Sequence, residues 1–135
     1  MQKTPASPNL AISVLSETIT IHKLAPDASI PEEILKSNYY SVTKTGNEPS
    51  VVCSELIEVQ SLQSSKGWKC IKVKAPLDFN LTGILAGISY ILAQANISIF
   101  AISTFDTDYI LVRAQDLSSA RDLTQASWLI RISSF

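Results

Sequence analysis

The strongest constraint on this chain is an apolar stripe that changes period without a linker. Leu81, Ile84, Leu85, Ile88, Ile91, Leu92 and Ala95 recur at helical spacing, and the β-branched run Ile97–Thr104 follows directly. Residues at i, i+3, i+4 and i+7 share one helix face, so this stripe predicts an amphipathic helix laid on a sheet. Asp78 or Asn80 is placed to cap its start, and Asn96 to take the left-handed position at its end. Phe105–Asp108 then reads as a tight turn into a strand at Tyr109–Arg113. The stretch from Pro76 to Arg113 is one packed helix–strand–strand unit whose polar groups gather at its turns.

The rest of that half completes a pattern. Trp68–Val73 is expected as the strand before the helix, a second helix follows with Leu117, Ala120 and Leu123, and Trp128–Ile132 is expected as a closing strand. The order βαββαβ is that of a ferredoxin-like split βαβ unit.

Upstream, Ala11–Leu15 and Thr18–Leu24 alternate like strands around a turn signal at Ser16-Glu17. Pro31 opens a short helix through Ile34 and Leu35, with Glu32 and Glu33 at its positive end. Tyr39–Thr45 and Ser50–Cys53 read as strands around Gly46-Asn47-Glu48-Pro49, and Glu55–Gln63 as a short helix. Residues 1–9, with Pro5 and Pro8, are expected as a disordered lead-in. Ser64-Ser65-Lys66-Gly67 punctuates two apolar segments and is taken as the boundary. Two α/β units result, 10–65 degenerate and 66–135 regular, imperfect repeats that share or exchange an edge strand.

Composition narrows function by exclusion. A net charge of −1, with scattered lysines, supplies no positive stripe for nucleic acid. No apolar run approaches bilayer length, and the N-terminus lacks the apolar core of a secretory signal, so the expectation is a cytoplasmic protein. Cys53 and Cys70 sit inside apolar segments and read as reduced, buried side chains. A single histidine, His22, and the absence of CxxC or HxxxH spacing leave no metal site, and no cofactor is expected. The phosphate-loop, nucleophile-elbow and zinc-protease signatures are missing as well.

The segments PLDFNLTGILAGIS and ISIFAISTFDTDYILV resemble an ACT domain, the regulatory module that binds amino acids and similar effectors. They are similar to small tandem ACT proteins and to the ACT segments of the CASTOR arginine sensors and of aspartate kinase. SVTKTGNEPSVVCSE is similar to the corresponding segment of the first unit. Ala75, Lys44, Pro49 and Asn80 stand where Gly, Arg, Leu and Ser are usual in that family.

The resemblance implies a non-catalytic sensor that binds a small effector, an amino acid for preference, and pairs as a homodimer. It places the effector beside Asp78, Phe79, Asn80, Leu81, Thr82 and Gly83, with Ser103, Thr104 and Asp106 completing the rim. Backbone N–H groups at the helix start would receive the effector's carboxylate, and Asp78 its ammonium. Read without the resemblance, the same residues serve as helix caps and a hairpin turn. The competing functions are a ligand-free interaction module and a small enzyme using Asp78 and Asp106.

Overall fold

The computed structural model describes residues 11–74 and 83–133. They fall into two compact units. The inner one is Ser16–Lys69, and the outer one combines the described residues before and after it. Two long strands, β1 (Ala11–Lys23) and β4 (Gln63–Lys74), each contribute residues to both.

In the inner unit, α1 (Glu32–Leu35), β2 (Ser41–Lys44) and β3 (Pro49–Ser54) lie between these strands, in the order β2-β3-β1-β4. Antiparallel pairing sets Thr20 opposite Cys53 and His22 opposite Val51. Val51 faces Val42 on its other side. Side chains alternate across a strand, so Thr20, His22, Val51 and Cys53 share one face. Leu24, Ile34, Val51 and Cys53 form the buried core there, with Ile57 and Val59 packed against it. Pro31 precedes α1 with φ −57°, the value its ring fixes, and only Ile34 of that short helix is buried.

In the outer unit, α2 (Ile84–Gln94), β5 (Ile99–Ser103), β6 (Asp108–Arg113), a 3₁₀ turn (Ala114–Asp116) and α3 (Leu117–Ser133) complete the fold. The strand order is β1-β4-β6-β5. Ile84, Ile88 and Leu92 bury the expected stripe against Ile71, Val73, Ile110 and Val112, joined by Ala120 of α3. Removing each such side chain from water stabilises the unit by about 1.5–3 kcal/mol. Asn96 ends α2 at φ +62°. The Ile97 N–H donates to the Leu92 carbonyl at 2.9 Å, a Schellman closure that satisfies the helix's last turn. In α3 the buried Thr124 hydroxyl donates to the Ala120 carbonyl one turn back, at 2.7 Å.

Several sequence expectations are overturned. Ser16-Glu17 makes no turn, because β1 is a single strand of 13 residues. Ser64–Gly67, read as the boundary between the units, lies within the strand β4, with Gly67 at φ +79°. Glu55–Gln63 is irregular, not helical. The Glu55 N–H donates to the Thr18 carbonyl at 2.9 Å and the Leu62 N–H to the Lys23 carbonyl at 2.7 Å, so both ends of the segment are tied to β1. Trp128–Ile132 is the end of α3, not a strand. In a split βαβ unit the fourth strand lies beside the first, and the N-terminal part of β1 already occupies that place beside β4. Ile97–Thr104 shortens to β5, which is half-exposed because it is last in its row and has one strand neighbour. The lead-in over residues 1–9 lies outside the described residues.

Candidate functional site

Gly83 stands immediately before α2 at φ +86° and ψ −7°. The sequence suggests a glycine inside the helix, but Gly83 is its entry. The first intrahelical bond runs from the Gly87 N–H to the Gly83 carbonyl at 2.8 Å. A Cβ in the left-handed region crowds the carbonyl oxygen, so Gly83→Ala is expected to lower stability by about 1–2 kcal/mol in a denaturant titration. An unchanged midpoint would show that another φ serves the turn equally well.

Facing this entry is the β5–β6 hairpin. The Thr104 N–H donates to the Thr107 carbonyl at 2.8 Å, and the Thr104 hydroxyl donates to the same carbonyl at 3.1 Å. The Thr107 N–H returns to Thr104 Oγ1 at 3.2 Å, which locks the turn. Ser103 Oγ donates to Asp108 Oδ1 at 2.6 Å across the hairpin's neck. The inner unit repeats this device: Thr45 and Glu48 make the equivalent three bonds at 3.0, 3.1 and 3.2 Å. The same turn chemistry thus closes both hairpins.

Between hairpin and helix lies a cavity of about 250 Å³. Val73, Ile84 and Leu85 make its apolar floor, and Ser103–Asp108 its polar wall. Binding pockets for small molecules usually run to about 300–1,000 Å³, so this space lies just below that range. Of the residues expected at the site, Gly83 lies at the helix entry, and Ser103, Thr104 and Asp106 line the cavity together. The hydroxyls of Ser103 and Thr104 are engaged within the hairpin, so they shape the wall. Asp106 lies between them and Asp108 on the exposed tip, beside Phe105, which is 99% exposed. Asp78, Phe79, Asn80, Leu81 and Thr82 lie outside the described residues.

Sequence reasoning missed Val73, Ile84 and Leu85 as lining residues. Their signal was the apolar pattern itself, which marks core and pocket floor alike. Asp108, expected only as a turn residue, is the acceptor that fixes Ser103. Among the described residues no group of three or more His, Cys, Asp or Glu side chains is placed to hold a metal ion. No described helix is long and apolar enough to cross a membrane. Cys53 and Cys70 are buried thiols that form no disulfide, and burial pushes the Cys53 thiol up from its ordinary value. Such a thiol is a poor nucleophile.

Comparison with known proteins supplies the frame for this geometry. A family model described as an ACT domain matches residues 63–123. A second model, of an N-terminal domain, matches residues 17–57. A crystal structure of an Agrobacterium tumefaciens protein superposes with a TM-score of 0.79 at 32% identity, covering 90% of each chain. The rat protein named cytosolic arginine sensor for mTORC1 subunit 1 is 32% identical over 94 residues, 67% of this chain. The match spans only 27% of that sensor's length. Aspartate kinase of Clostridium acetobutylicum superposes with a TM-score of 0.67 over 93% of this chain and 36% of its own, at 11% identity. That last likeness is one of fold alone.

Proposed function

The chain carries an ACT domain over residues 63–123 and belongs to one family with the Agrobacterium tumefaciens protein, and from that premise we propose that it is a non-catalytic regulatory protein that binds an amino acid. The observation that carries this reading is the cavity between the entry of α2 and the Ser103–Asp108 hairpin. Its apolar floor would take an effector's side chain. Asp106 would meet its ammonium, and the helix entry at Gly83, with the adjoining residues 78–82, its carboxylate. The choice of an amino acid as ligand is supported by the name of the rat relative, an arginine sensor.

An effector that binds one arrangement of a pair of chains more tightly shifts the population toward it. We take the working form to be a homodimer in the cytoplasm. β2 and β5 each end a row of strands, and open strand edges favour pairing. A thermal-shift screen over the common amino acids tests the reading. A rise in melting temperature with one of them supports a sensor, and turnover of any compound would point to an enzyme instead.

The alternative is an interaction module without a ligand. Phe105, 99% exposed at the hairpin tip, favours it, since a wholly exposed aromatic ring suits protein contact. A flat thermal-shift screen together with a stable dimer that dissociates on Phe105→Ser would establish this second reading.

A further inference from the structure

The chain's one histidine lies on β1 of the inner unit, in contact with the irregular segment from Glu55 to Leu62. His22 is only 6% exposed. Its Nδ1 sits 3.2 Å from Ser61 Oγ of that segment, and its Nε2 is buried with no hydrogen-bond partner among the described residues. In the sheet His22 lies opposite Val51, so the ring adjoins the core of Leu24, Ile34, Val51 and Cys53. Ile57 and Val59, from the same segment as Ser61, pack against that core. The segment thus lies over both the ring and the core.

Backbone bonds tie this segment at its ends. The Glu55 N–H donates to the Thr18 carbonyl, the Ile57 N–H to that of Ser54 and the Leu62 N–H to that of Lys23. Between them the chain has no regular structure, and such stretches open at less cost than helices or central strands. A neutral imidazole fits beneath it; an imidazolium does not. The charged ring carries an N–H on both nitrogens, Ser61 Oγ can accept one, and the other stays covered at Nε2. This is so whichever nitrogen holds the proton of the neutral ring. A charged donor shut away from water and from any acceptor costs far more to bury than the neutral group.

We propose that Glu55–Leu62 is an acid-released strap: a proton taken up by His22 loosens the strap from the sheet and uncovers the inner core at Ile57, Val59 and Cys53. Every residue invoked belongs to the inner unit, so the device is separate from the hairpin cavity of the outer unit.

The charged and titratable groups about the ring set the sign. Lys66 from β4 and Glu55 and Glu58 from the strap line one cleft with it, and the Cys53 thiol of β3 shares its sheet face. Lys23, its chain neighbour, falls on the opposite face. Burial first, and then the positive charge of Lys66, hold the imidazole below its ordinary value of 6.5. Both glutamates are exposed, where solvent screens them. The closed form therefore has a lower pKa than the open one. The contribution of neutral His22 to closure is complete above about 6.5 and is lost as pH falls from there through the folded pKa. Across that window the opening equilibrium grows by up to about tenfold per pH unit.

The two buried cysteines, one in each unit, read the opening in the full chain. A thiol-labelling disulfide reagent is applied at a series of pH values between about 8 and 5, and peptide mapping separates the sites. Each cysteine's rate is divided by that of glutathione in the same buffer, which removes the intrinsic pH dependence of the thiol. Cys53 should label faster than Cys70, and its relative rate should climb below 6.5 by up to about tenfold per pH unit. His22→Gln, which cannot take up the proton, should flatten that climb. In the parent chain the ring Cε1–H resonance of the single histidine should titrate below 6.5. The proposal is overturned if Cys53 labels no faster than Cys70, the mark of whole-chain unfolding. It is equally overturned by a flat relative rate for Cys53, by a climb that persists in His22→Gln, or by a His22 titration at 6.5 or above.

Discussion

Shortening Leu92 to alanine is expected to lower the unfolding free energy by about 2–5 kcal/mol. Leu92 is fully buried on the inward face of α2, in one core with Ile71, Ile84, Ile88 and Ile110. Removing its branched end forfeits the transfer energy of those carbons and leaves a void among its packed neighbours. A domain of this size is stable by only about 5–15 kcal/mol, so the variant gives up a large share. Leu56→Ala is the internal control. Leu56 is 88% exposed on the irregular segment after β3, and its truncation should change stability by less than about 0.5 kcal/mol. Urea titrations with equal m-values compare the two directly. Similar costs at both positions would mean that α2 does not hold the outer unit together.

The second large effect concerns the effector. An amino acid present at about 100 times its dissociation constant should stabilise the protein by about 2.7 kcal/mol, since it binds the folded chain alone. Asp106→Ala should abolish most of that gain while shifting the ligand-free stability by less than about 0.5 kcal/mol. The reason is local. The hairpin is locked by Thr104 and Thr107, and its neck by Ser103 and Asp108, so the turn survives without the Asp106 carboxylate. Thr104→Val is the contrasting variant, because it removes the hydroxyl that both donates to and accepts from Thr107. It should weaken the hairpin with or without ligand. An Asp106→Ala protein that loses stability and binding in equal measure would make the aspartate structural.

What the sequence made legible was whatever local chemistry decides alone. The stripe from Ile84 to Leu92 produced its helix, and Asn96 its left-handed close at φ +62°. The hairpin at Phe105–Asp108 was readable because the Thr104 hydroxyl bonds to nearby backbone and Asp108 accepts from Ser103. What failed was decided by distant partners. Ser16-Glu17 and Ser64–Gly67 carry turn composition, yet both lie within long strands, where ladder pairing overrides local preference. Leu56, Ile57, Val59 and Leu62 suggested a short helix, but the chain ends of that segment bond to β1. Trp128–Ile132 resembles a strand by residue type, but the strand position it would need is filled by β1, and α3 continues through it. The site was half legible for the same reason. Polar turn residues announce themselves, whereas Val73, Ile84 and Leu85 are indistinguishable from core until the cavity is seen.

The most direct test of the effector site is a backbone amide chemical-shift map of the chain titrated with the amino acid that gives the largest thermal shift. Saturable changes should concentrate at Gly83–Leu85 and Ser103–Asp108, and should vanish there in Asp106→Ala. A map in which those amides stay fixed, while the same amino acid still binds, would contradict the placement of the effector at this cavity.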